Sequence, residues 1–263
     1  LVDVDGDGAL DIISGNDFAL PDGIWLRRGV TWDAALPFDE ITRNTMSLDA
    51  ADIDNDGDVE IFATDMKPYS DSIARHYLTV MMMMANAPRW PGDRQVVANV
   101  LLSPEPDGDY LNSAESAGVD ASGWSWSGKF GDLDNDGDSD LYIVNGMEGE
   151  EQFPFLSLGE LIEENQAFRN LGEAQFEPAP DWQLGSKRGG RGMGMVDLDL
   201  DGDLDIIVNN LRSPSQIFEN RLCGGAALQV DVTQPGTGNT HAIGAVIRLQ
   251  ASTGTYTRSV RSA

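Results

Sequence analysis

FGDLDNDGDSDLYIVNG, residues 130–146, packs five carboxylates into nine residues, Asp132 to Asp140, and follows them with an apolar run. Three further segments align with it: LVDVDGDGALDIISGN from Leu1, AADIDNDGDVEIFATD from Ala50 and MVDLDLDGDLDIIVNN from Met195. Each reads D-x-D-x-D-G-x-x-[DE], and the loops start at Asp3, Asp52, Asp132 and Asp197. Ile12-Ile13, Ile61-Phe62, Leu141-Tyr142-Ile143 and Ile206-Ile207-Val208, just after the loops, are strand formers. The repeat therefore predicts a loop held between two strands, four times over.

A second pattern follows each loop at variable distance: GIWLRRGVTWDA from Gly23, NVLLSPEPDGDYLNSA from Asn99, QAFRNLGEAQFEPA from Gln166 and QIFENRL from Gln216. These read as paired strands around a turn. Four short antiparallel strands per unit make the blade of a β-propeller. The expected fold is all-β: a partial propeller of about four blades in an open arc over residues 1–225, with a further β domain starting at 226–263. The loop spacings of 49, 80 and 65 residues make the blades unequal. The longest unit holds an insertion from Met66 to Gln95, with one helix expected over Ser70 to Ala87. Within it, Met81 to Met84 suit gap-filling packing. Leu1-Val2 read as the end of a strand already under way, so the chain is expected to be a fragment of a longer one, lacking first blades and the end of the tail domain.

The loops ask for a hard cation. Carboxylates at positions 1, 3 and 5 of a tight turn converge, Gly at position 6 permits the bend, position 7 offers a carbonyl and position 9 a further carboxylate. The candidate ligands are Asp3, Asp5, Asp7 and Asp11; Asp52, Asp54, Asp56 and Glu60; Asp132, Asp134, Asp136 and Asp140; and Asp197, Asp199, Asp201 and Asp205. The backbone carbonyls of Ala9, Asp58, Asp138 and Asp203 complete the sets. Calcium, about four ions, fits such oxygen-only shells. Magnesium keeps its waters, and zinc or copper would want His or Cys. An EF-hand needs Glu at position 12 and flanking helices, whereas position 12 here is Ser14, Ala63, Ile143 and Val208.

The net charge of −27 repels nucleic acid and anionic lipid. It is also clustered, since 19 of the 44 acidic residues fall in the four loops. Cys223 is the only cysteine, so no intrachain disulfide forms and metal is the available staple. No apolar run reaches the roughly 18 residues of a membrane helix.

The loops resemble FG-GAP/VCBS repeats, the calcium-bearing blades also found in integrin α-subunit propellers. The stretch AGVDASGWSWSGKFGDLDNDGDSDLYIVNG, from Ala117, is similar to blades of the ASPIC/UnbV proteins, a group that includes cartilage acidic protein. The tail from Ala226 resembles the opening of their C-terminal domain, with Asn239 and then His241-Ala242-Ile243-Gly244-Ala245-Val246 in place of its N-x-x-G-I-G-A-x-V core. Ala242 stands where that core has Gly. The resemblance implies a secreted or cell-surface protein, calcium dependence, and an adhesion-like module for a protein or glycan ligand.

No nucleophile, metal-protease or phosphate-loop pattern accompanies His76 or His241. The Gly-rich KRGGRGMG from Lys187 reads as a turn into the strand before Asp197, with Arg191 packing locally. Trp124 and Trp126, at strand spacing, suit a sheet core better than a sugar platform. The alternative function is a calcium-dependent, lyase-like enzyme acting on polysaccharide. It would need Lys67, Tyr69, Arg75 or His76 to converge beside a metal loop.

Overall fold

Strand formers follow every acidic loop, and in the computed structural model each loop turns the chain between antiparallel partners. The structure describes residues 1–18, 20–72, 74, 91–146, 162–222 and 224–260. The first blade comprises β1 (Ile12–Ser14), β2 (Gly23–Arg28) and β3 (Thr31–Ala35), with Val2 bridging Asp11 across the first loop. β4 (Ile41–Thr42) precedes β5 (Ser47–Ala51) and β6 (Glu60–Thr64). The short strands β7 (Met66–Lys67) and β8 (Gln95–Val96) come next, and β9 (Val100–Pro104) and β10 (Tyr110–Asn112) then complete the second blade, ordered β5-β6-β9-β10. Helix α1 (Ala114–Ala117) leads into the third blade, β11 (Gly123–Gly131), β12 (Asp140–Asn145), β13 (Gln166–Asn170) and β14 (Phe176–Pro178). The fourth blade has three strands, β15 (Gly190–Val196), β16 (Asp205–Asn210) and β17 (Gln216–Phe218), and a hairpin of β18 (Val246–Gln250) and β19 (Thr255–Ser259) follows.

The result is the expected partial β-propeller. All pairings among the named strands are antiparallel except β4 with β8, which brackets the insertion. Of the expected helix, Asp71, Ser72 and Ala74 are helical, and the Ala74 N–H donates to Ser70 O at 2.8 Å. The remainder of that helix, with Met81 to Met84, lies outside the described residues.

Blades pack face to face, and each junction is a dry layer. Between the first and second lie Ile24, Phe38, Ile61, Leu102 and Tyr110. Between the second and third lie Ile53, Phe62, Leu101, Phe130, Leu141, Phe168 and Phe176, with Phe130 edge-on to Phe62 and stacked on Phe176 at centroid distances of 5.8 and 6.3 Å. Between the third and fourth lie Leu133, Tyr142, Val144, Trp182, Ile206 and Val208. Each such side chain contributes roughly 1.5–3 kcal/mol by leaving water. Trp124 is buried, as expected for core. The β11–β12 pairing skips Trp126, whose ring is covered by the Arg191 guanidinium at 4.3 Å.

Polar clamps hold the same junctions at the loop end. The Asn170 side-chain amide donates to Ile53 O in the second loop and Ser139 O in the third, at 2.8 and 3.0 Å. Asn220 repeats this one blade on, donating to Leu133 O and Leu204 O at 2.7 and 3.3 Å. The two are equivalent, since Phe168 pairs with Leu141 and Phe218 with Ile206. In the second blade the matching residue is Pro104, which has no amide. There the Tyr110 hydroxyl lies 3.0 Å from Val4 O and 3.4 Å from Val59 O, the corresponding carbonyls of the first and second loops.

Asn170 is 1% exposed, so its truncation strands two buried carbonyls. Asn170→Ala should cost about 2–3 kcal/mol in chemical denaturation. A loss under about 0.5 kcal/mol would show that water replaces the clamp.

Candidate metal centre

Backbone conformation comes first in each loop. Position 4 is left-handed throughout (Gly6 φ 68°, Asn55 63°, Asn135 56°, Leu200 64°), and so is the glycine at position 6 (83°, 104°, 102°, 100°). Two left-handed residues in three curl the chain so that its N–H groups face inward. The position 1 carboxylate accepts the position 6 N–H: Gly8 to Asp3, Gly57 to Asp52, Gly137 to Asp132 and Gly202 to Asp197, at 2.8 to 3.1 Å. The position 5 carboxylate accepts the position 7 N–H at 2.8 to 3.3 Å.

Position 9 is a staple. Asp11, Asp140 and Asp205 each use one oxygen for the position 2 N–H (Val4, Leu133, Leu198) and the other for an N–H in or just after the strand that pairs with the one following the loop (Arg27 of β2, Asn170 of β13, Asn220 after β17). Glu60 accepts the Ile53 N–H at 3.0 Å. Its second partner would be the N–H at Pro104, where none exists. All four position 9 acids are buried.

With those bonds made, three carboxylates in each loop bring oxygens within 4.8 Å of one another. They are Asp3, Asp5 and Asp11; Asp52, Asp54 and Asp56; Asp132, Asp134 and Asp136; and Asp197, Asp199 and Asp205. Asp7, Glu60, Asp140 and Asp201 stand outside these triads. Every loop has at least one carboxylate oxygen that is buried with no hydrogen-bond partner: Oδ1 of Asp3, Asp52, Asp134 and Asp197, and in the fourth loop Oδ1 of Asp203 as well. Orphaned oxygens facing further carboxylates are the donor set of a hard cation, and the residues fit one. In the first loop a protein cation is already near, with Arg28 Nη2 2.5 Å from Asp5 and Nη1 3.1 Å from Asp7. In the third, Arg169 Nε lies 3.5 Å from Asp134.

Burial raises seven of these carboxyls in the first three loops above the usual range. Glu60 and Asp140 are pushed up to about 8 and Asp132 to about 6, with neighbouring loop carboxylates adding repulsion. Asp3, Asp52, Asp54 and Asp134 are raised for the same first reason.

Neighbouring loops touch. The Asn55 side chain donates to Asp138 Oδ1 at 2.8 Å and to Gly137 O at 3.4 Å, and Asn135 to Gly202 O at 3.4 Å. The β18–β19 hairpin lies over the second and third loops. There Arg258 donates to Asn55 Oδ1 at 3.0 Å and Gly137 O at 2.7 Å. Sequence reasoning missed the left-handed position 4, the Asn clamps and Arg258. The clamps had a signal, the Asn shared by QAFRN and QIFEN.

Of the residues the lyase-like reading needs, Lys67 and Tyr69 both lie beside Gly123. Lys67 pairs with Asp120 and sits opposite Gly123, at the start of β11, whereas the third loop follows the end of that strand, about 26 Å away at ~3.3 Å per residue. Arg75 and His76 lie outside the described residues.

Fold and loops together define a repeat propeller with acidic turns on one face. The FG-GAP-like repeat family matches residues 3–63 and 155–208, which take in the first, second and fourth loops, and the chain carries FG-GAP-like repeats. The third loop, outside the match, has the same geometry. No curated protein matches the chain. Among the described residues no helix is long and apolar enough to cross a membrane.

A carboxyl whose pKa is raised by folding favours the folded state most below its unfolded value, near pH 4, and loses that contribution as pH rises through its folded value. In chelator, the melting temperature should therefore fall between pH 5 and pH 8.5. A flat or rising profile would contradict the buried position of Glu60, Asp132 and Asp140.

Proposed function

We propose that this chain is part of an extracellular calcium-binding propeller whose blades form a module for binding a protein or glycan ligand. The observation that carries the reading is the orphaned, buried carboxylate oxygen repeated in all four loops beside two further carboxylates. Aspartates at positions 1, 3 and 5 and the carbonyl at position 7 would hold the ion. The position 9 acid would share lone pairs that its N–H bonds leave free. Calcium supplies charge neutralisation and oxygen coordination there. This chain's own residues supply the curled loop, the exclusion of water behind position 9 and the spacing between sites. Within the FG-GAP-like repeats, the segment from Ala117 and the tail support an ASPIC/UnbV-type assignment, with residues 226–263 as the start of its C-terminal domain. A fold built from stacked blades presents a broad loop face, which suits ligand binding. Family resemblance supports a secreted or cell-surface setting.

Extracellular calcium modules bind at roughly 10⁻⁴ to 10⁻³ M. At about a hundredfold excess each occupied site adds ~2.7 kcal/mol. Calcium should therefore raise the melting temperature by many degrees over chelator, and Asp134→Ala should remove part of that gain. A melting curve indifferent to calcium would overturn the reading.

A further inference from the structure

The three blade junctions are built alike, yet one lacks a part. In the first two, an aromatic from the outer strand of the following blade closes a socket near the loop end. Tyr110 of β10 packs with Ile61 and Leu102, with Val4 against them. Phe176 of β14 packs with Ile53, Leu141 and Phe168. Both rings are buried, at 4% and 7% exposure. Leu133, Ile206 and Phe218 make the same socket at the third junction, but among the described residues no outer strand pairs with β17 in the fourth blade. What remains is a cavity of about 470 Å³, lined also by Trp182, Leu204 and Leu222. Beside it, β17 is the last strand of its sheet, and Ile217 on it is 66% exposed.

We propose that this junction is a docking site for an extended segment of a partner polypeptide, which adds to β17 as a fourth antiparallel strand and inserts an aromatic side chain into the socket. Exposed strand edges accept such additions through main-chain hydrogen bonds, while a side-chain pocket sets specificity. The third blade gives the register. There Phe176 stands opposite Asn170 and Glu177 opposite Arg169, with Arg169 Nη1 3.4 Å from Glu177. In the fourth blade Asn220 and Glu219 take the places of Asn170 and Arg169, so the charge is reversed. The incoming strand pairs its aromatic with Asn220 and a basic residue with Glu219. That residue also suits a chain of net charge −27. Glu219 is engaged by Arg221 at 3.0 Å, but both side chains are more than half exposed and such a pair yields readily. The socket continues the dry layer between the third and fourth blades, so its occupant extends an interface that the protein already uses twice.

A synthetic peptide of residues 172–181 carrying Glu177→Lys is the probe, titrated calorimetrically into the whole chain. It should bind, its Phe176→Ala version should bind at least tenfold more weakly, and the unsubstituted Glu177 peptide several-fold more weakly. Leu222→Trp in the protein should fill the socket and abolish binding with the melting temperature held. Independently of any variant, the peptide should slow amide exchange at Ile217 and Phe218. No binding at millimolar peptide, or equal binding of the Phe176→Ala peptide, overturns the proposal. So does self-association in sedimentation that Leu222→Trp dissolves, which would assign the socket to a second copy.

Discussion

Carboxylates held a few ångströms apart repel one another, and the rest of the molecule is arranged around the four places where this one does so. Two unit charges at 4 Å cost about 1 kcal/mol in water and about 4 kcal/mol at the effective dielectric of a protein surface. The loops meet that cost first with backbone. Left-handed residues at positions 4 and 6 turn N–H groups onto the carboxylates at positions 1 and 5, and the position 9 acid is buried among N–H donors of its own blade. At least one oxygen per loop is left over. That remainder is one that a cation could answer, and it recurs in all four loops because the backbone construction recurs.

The second blade shows how tightly the construction is specified. Pro104 stands where the equivalent strand has Asn170, so it can neither donate to the position 9 acid nor clamp two loops. Glu60 at position 9 has the longer side chain of the four and keeps only the position 2 bond. Tyr110 carries a hydroxyl where Phe176 has none, and that hydroxyl reaches the two carbonyls an Asn would otherwise hold. Pro104, Glu60 and Tyr110 look unrelated along the chain but are neighbours in space, and the Tyr110 hydroxyl stands in for the side-chain clamp that Pro104 lacks.

Much of this was legible in the sequence. The four-fold D-x-D-x-D-G motif followed by β-formers identified loop and strand, because a short, continuous β-forming run after a Gly turn admits few other readings. The blades, the open arc and the burial of Trp124 followed from the same pattern. What was not legible depends on contacts between repeats. The pattern suggested that all four acids of a loop point at one centre. In the structure each loop gathers a triad whose membership differs between loops, with Asp11 and Asp205 in two of them and Asp56 and Asp136 in the others. Leu200 in a left-handed conformation gives no propensity signal at all, since sequence alone would place Gly or Asn there. Arg258 is more than a hundred residues from the loops it joins.

The central claim is that each loop is one hard-cation site formed by the same backbone device. Counting bound calcium by equilibrium dialysis, in buffer with excess magnesium, tests it most directly. The account predicts saturation at about four ions per chain, one for each acidic triad, falling by one when Asp52 is replaced by Ala. Saturation at zero or one ion, or equal displacement by magnesium, would contradict it.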